Sequence, residues 1–98
     1  MPKPKFDLGQ LLSTPGALST LEEISMVPLD LIKRHAQGDW GDLGEEDKEF
    51  NEQALIDGSR IFSKYDLPNS GESLYVITEA KDDQGKRSAT TVLRPDEY

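Results

Sequence analysis

The chain contains no cysteine, one histidine and one tryptophan, and these shortages exclude several kinds of chemistry. Without thiols there is no disulfide framework, no thiolate nucleophile and no cysteine-based zinc site. No stretch approaches the roughly 20 apolar residues of a membrane span, and the basic start MPKPKFDLGQLL lacks the apolar core of a signal peptide. These absences predict a cytoplasmic protein that contacts no membrane.

Basic residues are also scarce, since 11 Lys and Arg face 19 Asp and Glu and leave a net charge of -8. Nucleic acid is a polyanion, so an acidic chain without a basic patch gains no affinity for it from counterion release. We therefore expect no direct binding to nucleic acid. The charge is uneven, because residues 39–57 contain eight acids and one base, Lys48, whereas the rest of the chain is nearly balanced.

The length of 98 residues predicts one domain, residues 6–98, after a flexible N-terminal arm, residues 1–5. Prolines and acidic residues at helix starts and glycines at helix ends predict three helices, over residues 15–25, 28–37 and 45–57. From Arg60 the hydrophobic period changes to two, and RIFSKYDL, SLYVITEA and SATTVLRP predict strands joined by short turns. The fold class expected is α+β, with three short N-terminal helices packed on one face of a three-stranded antiparallel β-meander.

The segment HAQGDWGDLGEEDKEFN, residues 35–51, combines the histidine, the tryptophan and a run of acids. We interpret it first as a structural joint, in which Gly38 ends one helix, Trp40 fills the core and Gly41 shapes the turn. The acids then start the next helix at the positive end of its dipole. Trp40 as a stacking platform is the alternative. A cation site is disfavoured because the segment lacks the ligand spacing of a calcium-binding loop, so no metal is predicted.

No catalytic signature is present, and the enzyme alternative rests on residue types alone. A small metal-free nuclease needs a base, an acid and a cation around one phosphate. The candidates are His35, Arg60, Tyr65, Glu79 and Arg87. Asp39 follows His35 closely enough to orient its imidazole. We expect the polar residues of the sheet, Ser63, Thr78 and Thr90 among them, on its helix-free face.

Four segments, LGQLLSTPGAL, RHAQGDWGDLGEEDKEFN, GSRIFSKY and VITEA followed by RSATTVLRPDEY, resemble a group of small bacterial proteins often carried on plasmids and other mobile elements. Members have been labelled plasmid-related proteins or M subunits of type I restriction-modification systems. The second label conflicts with the residues, because a DNA methyltransferase needs a glycine-rich cofactor loop and an Asn/Asp-Pro-Pro-aromatic tetrapeptide, and neither occurs. KDDQGK lengthens one connector relative to the group. The resemblance implies a bacterial, cytosolic context of mobile DNA and points to no particular activity.

Charge, size and the missing catalytic signature favour a non-catalytic module that binds a protein partner, for example a DNA-handling enzyme. The partner-binding residues expected are Asp39, Asp42, Glu45, Glu46, Asp47 and Glu49. A sharper alternative is a DNA mimic that inhibits a restriction or defence enzyme, with carboxylates in place of phosphates. The small nuclease is the competing class. No cofactor and no small-molecule ligand is predicted.

Overall fold

A computed structural model describes residues 3–98. Its elements are β1 (Gln10–Ser13), α1 (Pro15–Glu22), α2 (Pro28–Ala36), α3 (Glu45–Asp57), β2 (Ile61–Asp66), β3 (Ser73–Thr78), β4 (Ala89–Leu93) and a 3₁₀ turn, Pro95–Glu97. The expected arm, residues 1–5, lies partly outside the described residues. Within the described part, the Lys5 amide donates to the Ala36 carbonyl at 2.9 Å and ties the chain start to the end of α2.

The strands form one four-stranded sheet in the order β1-β4-β3-β2. β2, β3 and β4 are antiparallel neighbours, whereas β1 lies parallel to β4 with Gln10 opposite Ala89 and Ser13 opposite Val92. The α+β class with three helices is confirmed. The antiparallel meander of β2, β3 and β4 is present, but the prediction of a sheet with only three strands is wrong, because QLLS forms a fourth strand ahead of α1. This strand is short and lacks alternation, so only its pairing with a distant segment stabilises it.

Local signals explain the ends of the helices. The Thr14 hydroxyl accepts a hydrogen bond from the Ala17 amide at 3.1 Å and caps α1, with Pro15 at its first position. α1 ends at Glu22, three residues earlier than predicted, and Ser25 just beyond it has a left-handed φ of 59°. α2 ends one residue earlier than predicted, at Ala36. α3 has the predicted bounds.

α1 and α2 cover one face of the sheet, and the main core lies between these two helices and the sheet, whereas α3 packs beside β2. Buried side chains of α1 and α2 meet those that point inward from β2, β3 and β4; the cluster contains Ala17, Leu21, Leu31, Ile32, Tyr65, Leu67, Leu74, Val76 and Val92. A second cluster joins Trp40 to Ala54 of α3 and Ile61 of β2. Within residues 3–98, no helix is long and apolar enough to cross a membrane.

The outer edge of β2 is closed by the turn before α3 and by α3 itself. The Lys64 amide donates to the Trp40 carbonyl, and the Lys64 carbonyl accepts from the Asp42 amide. The Asn51 side chain pairs with both backbone groups of Phe62, at 2.6 and 3.0 Å. These contacts occupy backbone groups that an unprotected edge strand would offer to another chain.

Candidate functional site

His35 lies at the centre of a buried polar network between α2 and the sheet. α2 turns Leu31, Ile32, His35 and Ala36 inward, and the His35 side chain is 0% exposed. Its Nδ1 lies 2.6 Å from Ser63 Oγ on β2, and its Nε2 lies 2.9 Å from Thr78 Oγ1 on β3. Both ring nitrogens are therefore satisfied by neutral hydroxyl groups.

The network has one consistent order of donors. Thr90 Oγ1 donates to the Leu8 carbonyl at 2.7 Å, so its single proton is used there. Thr78 Oγ1, which lies 2.7 Å from Thr90 Oγ1, must then donate to it. This leaves Thr78 as an acceptor from His35 Nε2–H, and Nδ1 accepts from the Ser63 hydroxyl. The hydrogen bonds thus select the Nε2–H tautomer of a neutral imidazole.

The surroundings of His35 keep it neutral. Burial, and to a lesser extent the positive charge of Arg87, lower its pKa from 6.5 to about 3. Two aromatic rings also enclose it, Phe6 at 5.3 Å and Trp40 at 5.9 Å between ring centroids, both edge to face. An imidazole that is neutral and shielded from solvent serves as a structural connection between α2 and the sheet.

Arg87 is buried as well, at 2% exposure, and its guanidinium holds the chain together. It donates to the carbonyls of Ser59 at 2.7 Å, Glu79 at 3.0 Å and Ala54 at 3.1 Å. The Ala54 carbonyl belongs to the last turn of α3, where a cation also complements the helix dipole. Desolvation lowers the pKa of Arg87. Arg87 therefore joins the end of α3 to the sheet.

The remaining members of the nuclease alternative lie apart from this network or are enclosed. Tyr65 is fully buried, and its hydroxyl donates to the Asp39 carbonyl. Burial raises the pKa of this phenol. Arg60 is exposed and lies 5.3 Å from the ring centroid of Tyr98, and the Glu79 side chain is exposed. The five residues do not converge on one accessible point where a phosphate could bind.

Three polar residues of the sheet lie on the opposite face from the one expected. Ser63, Thr78 and Thr90 are fully buried and face the helices. They share their face with apolar neighbours two residues away, such as Ile61 and Val92. The alternation in RIFSKYDL, which puts Ser63 on the side of Ile61, was the signal that could have located it. A network this deeply enclosed supports fold specificity rather than substrate binding.

Two of the predicted partner-binding acids have structural partners. The Asp39 carboxylate accepts from Arg34 Nε at 2.7 Å, and this hydrogen bond holds the pKa of Asp39 below its usual value. Its other oxygen accepts from the Gly41 amide at 3.1 Å. The Asp42 carboxylate accepts from the Asp66 amide at 2.8 Å and closes the end of β2. Both carboxylates stabilise the turn between α2 and α3.

The other four predicted acids form one exposed group, which we call the α3 acidic face: Glu45, Glu46, Asp47 and Glu49. Within the described residues, these four side chains make no ion pair and no side-chain hydrogen bond. Two large apolar side chains on the same helix are also exposed, Phe50 at 64% and Ile56 at 78%. The charge pattern of the sequence gives no sign of this exposed apolar component.

A shallow cleft adjoins the α3 acidic face. It has a volume of about 330 Å³ and is lined by Asp47, Phe50, Asn51, Arg60, Phe62 and Tyr98. Phe62 and Tyr98 come from the sheet and the C-terminal end, and their ring centroids lie 6.4 Å apart. Acidic and aromatic surfaces thus meet at the start of α3.

The turn between α2 and α3 is built around Trp40. Its side chain is 4% exposed, and its indole Nε1 donates to the Glu52 carboxylate at 2.7 Å. Gly41 has a φ of 76°, and a Cβ there would lie 2.0 Å from the Lys64 carbonyl oxygen. Gly38 has a φ of 83° just after α2. The sequence reasoning had no signal for Glu52, because its role depends on where the indole points.

Within residues 3–98, no group of three or more His, Asp or Glu side chains is close enough to hold a metal ion. The comparisons with known proteins add no relative: no family model, no curated protein and no solved structure matches the chain. The resemblance to plasmid-borne proteins stays a prediction. The exposed α3 surface and the cleft beside it form the candidate binding site.

Proposed function

We propose that the protein is a non-catalytic interaction module that binds a basic, amphipathic segment of a partner protein through α3. The observation that carries the proposal is the joint exposure of the α3 acidic face and of Phe50 and Ile56. Exposed acids alone are an ordinary solvated helix start. A large apolar side chain exposed beside them, as Phe50 is where it lines a cleft with Asp47, is typical of a surface that a partner covers.

The chemistry of the partner follows from this surface. Lys or Arg side chains would face the four carboxylates, and an apolar or aromatic anchor would enter the cleft beside Phe50. A DNA-handling enzyme is a partner that carries such basic surfaces. Long-range attraction from a net charge of -8 would speed the encounter and weaken as salt is added.

The DNA-mimic alternative has less support. The α3 acidic face spans about 6 Å along the helix axis, since each residue of a helix rises about 1.5 Å. Asp39 and Asp42, which would extend the row, are held in structural hydrogen bonds. A tract this short matches few phosphates of a duplex, whereas it suits a short basic segment.

The test is affinity capture from the native host with three forms of the protein, at low and at physiological salt. The first form is wild type. The second is the quadruple variant Glu45→Gln, Glu46→Gln, Asp47→Asn, Glu49→Gln. The third is a matched control that neutralises four exposed acids elsewhere, with Glu22→Gln, Glu23→Gln, Glu79→Gln and Asp83→Asn.

We expect wild type and the control to capture the same protein, and the quadruple variant and a Phe50→Ser, Ile56→Ser double variant to lose it. A synthetic basic amphipathic peptide taken from the captured protein should then bind wild type in calorimetry, with an affinity that falls as salt rises. Equal capture of the partner by all forms would show that α3 is not part of the interface. Capture of nothing, together with no binding of basic amphipathic model peptides, would contradict the proposal.

A further inference from the structure

The two edges of the sheet differ in whether their outward backbone groups have hydrogen-bond partners. The β2 edge is closed by Trp40–Asp42 and Asn51, as described above. At the other edge, the amides of Gln10 and Thr14 donate inward to the carbonyls of Ser88 and Val92. Because backbone groups alternate along a strand, those of Leu11 and Ser13 point outward. Within the described residues, nothing pairs with them.

The open edge also lacks the usual features that prevent strand pairing. Natural edge strands carry charges, prolines or bulges that keep other strands away. β1 reads QLLS, and the whole stretch of residues 8–21, LGQLLSTPGALSTL, contains no charged residue although 31% of the chain is charged. An unblocked edge in the longest uncharged stretch of the chain is suited to pairing with another strand.

An apolar groove runs beside this edge. It has a volume of about 340 Å³ and is lined by Leu11, Leu12, Ser13, Pro28, Leu29 and Ile32. Leu11, Leu12 and Leu29 are 47%, 41% and 42% exposed. By its register with buried Thr90, Leu11 points to the helix side of the sheet, and Leu12 points to the other side. Apolar surface is thus available on both sides of the strand.

We propose that β1 pairs antiparallel with β1 of a second copy of this chain, across a two-fold axis at Leu12. In this register, Leu11 lies opposite Ser13 of the second copy, and Ser13 lies opposite Leu11. The outward backbone groups of both residues are then satisfied by four hydrogen bonds. The two Leu12 side chains become direct neighbours, and the two sheets become one sheet of eight strands. The pairing is independent of the α3 acidic face, which lies beside the opposite edge.

Charge favours a second copy as the occupant. In a two-fold interface the same patch of both copies meets, so an edge that carried charges of one sign would repel itself. In a chain with a net charge of -8, the uncharged β1 edge is the place where two copies meet with the least repulsion. A basic partner segment, by contrast, would find no carboxylate on the strand to bind.

The short strand and the modest groove predict a weak, reversible dimer, of the class that buries less than about 1,200 Å². Its salt dependence is distinctive. Screening reduces the repulsion between two acidic copies, since the Debye length falls from about 30 Å at 0.01 M salt to about 8 Å at 0.15 M. Added salt should therefore strengthen the dimer, whereas it should weaken binding of a basic partner to α3.

The test is sedimentation equilibrium over a concentration series, with wild type, Leu12→Lys, Leu12→Glu and an equimolar mixture of the two variants. Matched controls are Ile56→Lys and Ile56→Glu, which place the same charges on an exposed apolar residue of α3. Far-UV circular dichroism checks that each variant is folded. Hydrogen exchange of the Leu11 and Ser13 amides in wild type gives a readout that needs no variant.

We expect wild type and the Ile56 variants to pass from the mass of one chain to that of two as concentration rises, and each Leu12 variant to dimerise at least about tenfold more weakly. The mixture should recover dimerisation, because Lys and Glu then face each other at the axis. Protection of the Leu11 and Ser13 amides should rise with concentration. A wild type that stays monomeric, or a Leu12→Glu variant that dimerises as wild type does, would overturn the proposal.

Discussion

Acidification from pH 7 to pH 5 should destabilise the protein through His35 alone. This residue is neutral in the folded state, where burial lowers its pKa from 6.5 to about 3. The unfolded chain binds a proton below pH 6.5, and the folded state does not. The free energy of unfolding is therefore fully retained above pH 6.5 and decreases as the pH falls toward the folded pKa.

The size of the effect follows from the two pKa values. One pKa unit corresponds to about 1.4 kcal/mol, so the full difference is worth about 4 to 5 kcal/mol and the loss already present at pH 5 is about 2 kcal/mol. Carboxylates titrate near pH 4, and the chain has one histidine. The interval from pH 7 to pH 5 therefore isolates this residue.

The assay is urea denaturation followed by the fluorescence of Trp40, the single and buried tryptophan. With a urea slope of about 1 to 2 kcal/mol/M for a domain of this size, the midpoint should fall by about 1 to 2 M between pH 7 and pH 5. His35→Gln should flatten this pH dependence, whatever it costs in stability. An unchanged midpoint in wild type, or the same slope in His35→Gln, would refute the reasoning.

Three further predictions concern the joint before α3 and the closed β2 edge. Trp40→Ala should lower the free energy of unfolding by about 3 to 5 kcal/mol in urea titrations followed by circular dichroism, as buried aromatic truncations do. A loss below about 1 kcal/mol together with a binding defect would instead indicate that Trp40 is a binding-site residue. Asn51→Ala leaves both backbone groups of Phe62 unpaired and should cost about 2 to 4 kcal/mol by the same measurement, whereas Gln53→Ala, on the exposed side of α3, should cost less than about 0.5 kcal/mol. Gly41→Ala should lower the melting temperature by more than an alanine at exposed Gly44 does, and equal effects would show that the turn relaxes easily.

The parts of the fold that depend on neighbouring residues were predictable. Thr14 and Pro15 mark the start of α1, and the acids at residues 45–47 with Gly58 bound α3, because caps, dipoles and left-handed glycines act within one turn. The alternation after Arg60 gave the last three strands. β1 escaped prediction, since four residues carry too weak a pattern and its partner lies about 80 residues away.

The candidate site divides in the same way. The acidic segment before and within α3 was predictable, because local charge density depends on the amino-acid sequence alone. It did not separate Asp39 and Asp42, which hold the turn, from the four acids that face solvent, because that distinction depends on which backbone amides come near. The exposure of Phe50 was also hidden, since Asn51 and Ala54 are the residues that α3 buries.

The sequence by itself determined the α+β class, the bounds of α3 and the excess of negative charge, because these depend on local periodicity, on helix ends and on composition. Only the tertiary structure decided that His35 is enclosed by Ser63 and Thr78, that one sheet edge is closed, and that the other is open. Each of those outcomes depends on contacts between residues far apart in the chain, and burial and hydrogen bonding act on them only after the layers have packed.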